Sequence, residues 1–406
     1  MQTTATRHDG SKVTIPTTRT EALAAAAAIA ERARARARQA EADRLVPRET
    51  IAEIEAAGLF GIVTPRSLGG AELGFAALVE VTAELAAACG STGWVYGVLA
   101  GHSWLLNLFP IEAQREVFAS PRALSATVFR LAGKVEAVAG GYRLTGAEGR
   151  FCSGVDHAGW VIVGCPVLRA GGPPDPHFFV IPRAEFEIVD DWFTAGMRGT
   201  GSRSIRLKES FIPAHRAVRV EDMAAGTSPG ARHHDRPMYR IPFQDVSPFS
   251  LVGAPLGMAR AAVRAFADSL GASIQRMPQD QVNGQAATFA RIARAAAEID
   301  AAYALTLADA ERLDAVAAAD ANDTLARARV LRNWAWSAQT ARHAVNRLFE
   351  ASGGSGIYDS SDLQRIWRDV NSAAQHFAFT WDSAMNNFGR VLVGLPPCAV
   401  APRGGR

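Results

Sequence analysis

The spacing of apolar residues changes twice along the chain and predicts three regions. Residues 21 to 121 are rich in alanine and leucine, and two stretches, 71 to 89 and 92 to 109, are apolar on nearly every side, which is typical of helices buried in a bundle. Residues 122 to 222 hold short runs such as WVIVGCPVL and HFFVIP, separated by glycine, proline and aspartate, which indicates an antiparallel sheet or small barrel. Helical spacing then returns in four segments, roughly 250 to 270, 282 to 315, 321 to 351 and 361 to 389.

The expected fold class is therefore α+β and mostly α, with an N-terminal helical domain, a central antiparallel β domain and a C-terminal four-helix bundle over residues 249 to 397. Polar segments complete the division, with a flexible N-terminus at residues 1 to 20, a linker at 223 to 248 and a tail at 398 to 406. His233 and His234 lie in the linker without a carboxylate or cysteine at ligand spacing, so they predict a solvated loop and no metal site.

Composition excludes several classes of function. The formal net charge is +3 and 20% of residues are charged, which argues against a nucleic-acid or acidic-membrane partner. The N-terminus lacks the order of a signal peptide, and no stretch reaches about eighteen uninterrupted apolar residues, so a soluble, cytoplasmic protein is expected. The cysteines form no CxxC pair and are interpreted as buried thiols: Cys89, Cys152, Cys165 and Cys398.

Candidate chemistry is concentrated towards the end of the chain. The stretch GGSGIYDSSDLQRIWRDVNSAAQHFAFTWD opens with Gly353 and Gly354, a turn that lets backbone approach a ligand, and continues as a predicted helix carrying His376. The aromatic residues around His376 would keep its imidazole neutral and able to take a proton. His102, in GHSWLL, is a second candidate; for both, the alternative is a core histidine satisfied by one hydrogen bond.

A glycine-rich segment, TAGMRGTGSRS, lies between two predicted strands. It lacks the strand-loop-helix setting and the Lys-Ser/Thr ending of a phosphate loop, so it predicts a tight turn.

The order of the three regions resembles the acyl-CoA dehydrogenase fold. The segment GMRGTGSRSIRLKESFIPAHRAV is similar to that fold's glycine turn, strand and exit from the β domain, and GGSGIY followed by RIWRD supports the same resemblance. Most members place a glutamate base about two helical turns after the Arg-Asp motif, where this chain reads NSAAQHFAFTWD and offers His376 instead. The departure resembles the flavin-dependent monooxygenases of the same fold, whose oxygenase components include 4-hydroxyphenylacetate 3-hydroxylase and the steroid-degradation phenol hydroxylase.

That resemblance implies an activity and its partners. Reduced FMN or FAD, made by a separate NAD(P)H:flavin reductase, would react with O2 to a C4a-hydroperoxyflavin that hydroxylates an aromatic, phenolic small molecule. The chain has no nicotinamide-binding fingerprint of its own, which agrees with a separate reductase. The resemblance also implies a homotetramer with the C-terminal bundles at its centre.

The resemblance further implies three catalytic residues. Ser153, in FCSG, matches a serine beside flavin N5; His102 matches a histidine that lines the substrate pocket; His376 matches one near the reacting carbon. An apolar chamber would protect the oxygen adduct from water.

Additional contacts are expected around these three residues. The residues expected to bind flavin, besides Ser153, are Phe151, Gly353, Gly354 and Trp381, with the two glycines approaching its phosphate end across a subunit boundary. The residues expected to bind substrate, besides His102, are Trp94 and Phe377.

Three alternatives remain open at this point. An acyl-CoA dehydrogenase or oxidase with a relocated base would act on a thioester. A monooxygenase of the same fold could oxidise nitrogen or sulfur. A helical structural or interaction protein without flavin is the alternative outside the enzymes.

Overall fold

A computed structural model describes residues 3–6, 12–169, 171–315 and 323–397. Its first elements are two strands, β1 (Thr3–Thr6) and β2 (Lys12–Ile15), paired antiparallel. The sequence predicted only a flexible terminus in this part and missed the strand pair. The predicted tail and Cys398 lie outside the described residues.

The N-terminal region is helical, as predicted. Its helices are α1 (Arg19–Ala35), α2 (Ala37–Asp43), α3 (Arg48–Ala56), α4 (Phe75–Ala88), α5 (Gly90–Leu106) and α6 (Ile111–Phe118). Helix α5 is buried along nearly its whole length, and a side chain at Gly97 would place its Cβ 2.0 Å from the Ser250 carbonyl oxygen. The glycine therefore allows α5 to lie against the C-terminal bundle, deep inside the molecule.

The central region is a sheet. Its strands are β3 (Ser125–Val128), β4 (Ala132–Val138), β5 (Gly141–Cys152), β6 (Trp160–Leu168), β7 (Asp175–Pro182), β8 (Phe186–Val189), β9 (Arg203–Leu207), β10 (Ser210–Pro213) and β11 (Ala217–Arg219). The spatial order is β11-β7-β6-β4-β5-β9-β8, with β10 on β5 and β3 on β6.

The prediction of a purely antiparallel sheet is wrong in two places. Strand β6 pairs parallel with both β3 and β4, while the other pairs in the sheet are antiparallel. The chain can make these parallel pairs because β5 and residues 153–159 lie between β4 and β6, and β4 additionally separates β3 from β6. The glycine-rich segment forms a 3₁₀ turn, Arg198–Thr200, between β8 and β9, which confirms the predicted tight turn.

The predicted linker is folded and largely buried. It contains α7 (Val220–Ala224) and α8 (Pro229–His233), followed by 3₁₀ turns. His234 is 5% exposed, and its Nε2–H donates to Gln114 Oε1 at 2.8 Å. The prediction of a solvated loop is therefore wrong for His234, whose partner comes from α6, far away in sequence.

The C-terminal region is helical but more divided than predicted. Its helices are α9 (Phe249–Ile274), α10 (Gln279–Asn283), α11 (Ala286–Ala315), α12 (Thr324–Ala351), α13 (Asp362–Ala373) and α14 (Trp381–Leu392). The single helix predicted over 361 to 389 is wrong. It is interrupted between α13 and α14 by a 3₁₀ turn, Phe377–Phe379, whose N-cap is His376.

Among the described residues, the segment Phe243–Ile274 is long and apolar enough to span a membrane by length and composition, with 83% of its most apolar window buried inside the protein. That burial identifies a core helix, since α9 packs against α4, α5 and α12. The three described cysteines are free and buried, as predicted.

Candidate active site

His102 lies on α5 against the sheet. Its Nδ1–H donates to the main-chain oxygen of Ser125 on β3 at 3.0 Å, so the neutral ring carries its hydrogen on Nδ1 and Nε2 is an acceptor. Burial lowers the pKa of His102 to about 4, against a smaller opposing effect of the Ser125 carbonyl. Its Nε2 has no hydrogen-bond partner among the described residues and can accept a hydrogen from a ligand.

His376 holds its hydrogen on the other ring nitrogen. The break after α13 turns its side chain back, and Nδ1 accepts from the main-chain N–H of Ala378 at 3.3 Å. Because Nδ1 accepts, the neutral ring carries its hydrogen on Nε2, which is a donor. Burial lowers the pKa of His376 to about 4, so the ring is neutral near pH 7.

Aromatic rings connect the two histidines. The ring of Phe129, directly after β3, lies 6.3 Å from that of His102 and 6.0 Å from that of Phe377. Phe377 lies 4.4 Å from His376, and Trp94 of α5 meets His376 edge to face at 5.6 Å. The structure therefore assembles His102, His376, Trp94 and Phe377 around one apolar region.

Ser153 belongs to the same site through Trp94. The indole N–H of Trp94 donates to Ser153 Oγ at 3.2 Å. Ser153 Oγ lies 2.7 Å from Ser202 Oγ, which lies 2.7 Å from Thr200 Oγ1. Ser153 is thus the first hydroxyl of a chain that continues into the glycine-rich turn.

Phe151 has an unusual backbone and an open side chain. Its φ of +65° lies in the left-handed region, at a bulge in β5 where the register with β9 shifts. The side chain is 69% exposed and meets Trp192 edge to face at 6.1 Å. Strained backbone that presents an exposed aromatic ring is typical of a ligand contact.

Three further sequence candidates lie at or between element ends in the C-terminal region. Trp381 begins α14 and is 44% exposed. Gly353 has a φ of +60°, and a Cβ at Gly353 or Gly354 would meet nothing within 4 Å, so neither glycine is required by packing within this chain.

Sequence reasoning missed four hydroxyl-bearing residues. Ser125 Oγ and Thr127 Oγ1 are buried and have no hydrogen-bond partner in the described part of the chain, and the alternation of β3 places both on one face of the strand. For Ser202 and Thr200 the sequence predicts only a place in a turn. The alternating polar residues in SATVF, on the strand that follows α6, were the available signal for the first pair.

The comparisons with known proteins agree with this architecture. The acyl-CoA dehydrogenase N-terminal domain matches residues 18–123, and the acyl-CoA dehydrogenase C-terminal domain matches residues 250–381. Fold and site together define a flavin-dependent enzyme with the acyl-CoA dehydrogenase architecture.

Similar proteins of known activity define a narrower class within these flavin-dependent enzymes. The chain is 35% identical over 374 residues to the oxygenase component of FADH(2)-dependent resorcinol hydroxylase from Rhizobium sp. (strain MTP-10005), covering 88% of this chain and 90% of that one. It is 31% identical to the oxygenase component of p-hydroxyphenylacetate 3-hydroxylase from Acinetobacter baumannii, covering 88% and 85%. The crystal structure of the HsaA monooxygenase from M. tuberculosis superimposes with a TM-score of 0.86 at 32% identity, covering 94% and 100%. This chain belongs to the oxygenase components of flavin-dependent monooxygenases.

The residues present fit a reduced flavin. The ring edge needs hydrogen-bonding groups at N5 and apolar surface around it, and the site offers the Ser153 hydroxyl together with exposed Phe151 and Phe377, the latter 61% exposed. A metal is not required for this chemistry, and the described residues contain no group of three or more His, Cys, Asp or Glu side chains that could hold one.

Proposed function

We propose that this protein hydroxylates a phenolic small molecule with O2 and reduced FMN or FAD supplied by a separate NAD(P)H:flavin reductase. The observation that carries the proposal is the opposite hydrogen placement on two neutral histidines, which offers an acceptor at His102 and a donor at His376. A phenol needs an acceptor for its O–H, and an oxygen that gains negative charge needs a donor. The named relatives act on resorcinol and p-hydroxyphenylacetate, which are phenols.

His102 is the residue that accepts a hydrogen bond from the phenol O–H. Its Nε2 lone pair is available because Nδ1–H is held by the Ser125 carbonyl. A phenol whose O–H is hydrogen-bonded to a base has a more electron-rich ring and is a better nucleophile towards an electrophilic oxygen. The hydroxyls of Ser125 and Thr127 would position the substrate oxygen beside it.

His376 is the residue that donates. Its Nε2–H would stabilise negative charge on an oxygen at the flavin side of the pocket, without changing its own charge. Bound reduced flavin supplies the electrons that activate O2. Trp94 and Phe377 would exclude water from the space between the histidines, and Trp381, Gly353 and Gly354 are proposed flavin contacts.

An acyl-CoA dehydrogenase activity is disfavoured by the same site. That reaction needs a strong base for an α-proton, and the stretch after Arg368-Asp369 offers His376, whose Nδ1 lone pair is held by Ala378 N–H and whose Nε2 bears hydrogen. Oxygen transfer to a thioether sulfur would not use the acceptor at His102, because the thioether has no hydrogen to donate.

We also propose a cytoplasmic homotetramer. Several large apolar side chains on the C-terminal helices and their connections are exposed, and another copy would cover them: Ile357, Tyr358, Leu392, Val393 and Leu395. Analytical ultracentrifugation tests this state; a monodisperse monomer would contradict it.

The function is tested by mixing the protein, reduced anaerobically with FAD or FMN, with oxygenated buffer and a panel of phenols. We expect hydroxylated product with one equivalent of O2 consumed per product, and hydrogen peroxide alone in the absence of a phenol. Thioanisole and an aliphatic amine serve as control substrates. Product from these compounds but from no phenol would contradict the assignment, and so would reduction of bound FAD by acyl-CoA thioesters.

A further inference from the structure

Ser153, Ser202 and Thr200 form a chain of hydroxyl groups, and the structure determines which oxygen donates in each of its hydrogen bonds. The chain of hydroxyls ends at the main-chain oxygen of Met197, which lies 2.8 Å from Thr200 Oγ1. A carbonyl oxygen cannot donate, so the hydrogen between these two atoms belongs to Thr200. With that hydrogen committed, Thr200 Oγ1 can only accept from Ser202 at 2.7 Å.

The same reasoning continues to Ser153. The hydrogen of Ser202 is committed to Thr200, so the 2.7 Å contact between Ser202 and Ser153 requires that Ser153 donate its own hydrogen to Ser202. Trp94 Nε1–H occupies one lone pair of Ser153 Oγ. The group that Ser153 has left for a ligand is its second lone pair, which is an acceptor.

The end of the chain is firmly held. The Met197 oxygen also accepts from the Trp192 indole N–H at 3.0 Å, and the Met197 N–H donates to the Asp369 carboxylate. Met197 has a φ of +56°, a strained conformation that these contacts maintain. If every hydroxyl donated in the opposite direction, Thr200 Oγ1 and the Met197 oxygen would be in contact without a hydrogen between them. The contact with Met197 therefore opposes that arrangement.

We propose that Thr200 and Ser202 are positioning residues that orient the Ser153 hydroxyl as an acceptor and thereby select reduced over oxidised flavin. N5 of reduced flavin carries a hydrogen and can donate to Ser153. N5 of oxidised flavin has only a lone pair and would face another lone pair, leaving both unsatisfied. The proposal rests on the proposed function, since it assumes that flavin N5 lies beside Ser153.

The test measures the dissociation constant of oxidised flavin in air and that of reduced flavin anaerobically, with both FAD and FMN. The quantity compared is the ratio of the oxidised to the reduced dissociation constant. We expect the wild-type protein to bind the reduced form more tightly. In Thr200→Val, Ser202 loses its acceptor and can donate to Ser153, which frees the Ser153 hydrogen for oxidised N5. The ratio should fall about tenfold, the size of one exchanged hydrogen bond, which equals a decrease of about 30 mV in the two-electron midpoint potential of the bound flavin.

Thr200→Ser is the matched control, because it keeps the hydroxyl and should keep the wild-type ratio. Ser202→Ala removes the next member of the chain and should lower the ratio as Thr200→Val does. A ratio in folded Thr200→Val within about twofold of that in Thr200→Ser would overturn the proposal. Equal wild-type affinity for both redox states would overturn this selection and leave the oxygenase function standing, whereas no flavin binding in either state would contradict both.

Discussion

Two neutral histidines, one buried and one half-buried, differ in what they can do, because their main-chain neighbours differ. The Ser125 carbonyl holds a hydrogen on His102 Nδ1, while the Ala378 N–H keeps hydrogen off His376 Nδ1. The pKa of each is about 4, so neither gains a charge near neutral pH. Their roles are therefore set by hydrogen placement, and each role can be separated by substitution.

Replacing His376 with glutamine or asparagine separates the two ring nitrogens. The glutamine amide can place an N–H near the position of Nε2, whereas asparagine can replace only Nδ1, the acceptor of Ala378 N–H. We expect His376→Gln to keep most hydroxylation and His376→Asn to lose it about 10²-fold, the usual effect of removing a donor to a developing negative charge. Product formed per O2 and affinity for reduced FAD are the measurements. Equal activity of the two variants would show that the Nε2 donor is not used.

Helix α13 holds the glycine-rich turn between β8 and β9 in place. Asp369 is 5% exposed, and its carboxylate accepts from the Met197 N–H across 172 positions of sequence. Burial raises the pKa of Asp369 to about 6, opposed by that hydrogen bond and by Arg365. The Arg-Asp motif thus connects the C-terminal bundle to the turn that orients Ser153.

Removing this contact should destabilise the fold in a way that an isostere does not. Asp369→Leu leaves the Met197 N–H buried without a partner and should cost about 1 to 3 kcal/mol of unfolding free energy. Asp369→Asn retains the acceptor oxygen and should remain closer to wild type. Urea unfolding at pH 7.5 compares them; Asp369→Leu as stable as Asp369→Asn would mean that the contact contributes nothing.

Buried titratable groups change the stability of the whole molecule in opposite directions as the pH falls. The histidines whose pKa is lowered to about 4 are His102, His157, His234 and His376. Their stabilising effect is complete above their unfolded pKa and is lost as pH falls towards 4. The carboxyls whose pKa is raised to about 6 are Asp245, Asp314 and Asp369, and their stabilising effect instead increases as pH falls from 6 to 4. Further carboxyls have a lowered pKa and lose their stabilising effect on acidification as the histidines do, so we expect net destabilisation between pH 6.5 and 4: Glu21, Glu53, Glu116, Glu187, Asp190 and Asp191.

The substitution His234→Gln isolates the contribution of one histidine to this pH dependence. Glutamine can donate to Gln114 as Nε2–H does now, but it does not titrate. The variant should lose less unfolding free energy than wild type between pH 7 and pH 4.5, by about 2 to 3 kcal/mol. Urea midpoints across this range are the measurement. A curve for His234→Gln that runs parallel to the wild-type curve would disprove the role of His234.

The sequence by itself determined the order of helical, β and helical regions, because apolar spacing is a local property that each segment expresses alone. It also identified Ser153, His102 and His376 as candidates, since short motifs and a missing glutamate are visible without coordinates. Only the tertiary structure decided the break at His376, where a side chain caps the next turn and ends a helix that local propensity would continue. It alone decided the parallel pairing of β6 and the burial of His234, because both depend on partners distant in sequence. Hydrogen placement on the histidines and along the Ser153 chain was decided at the same level, since a hydroxyl or imidazole takes its direction from the groups that surround it.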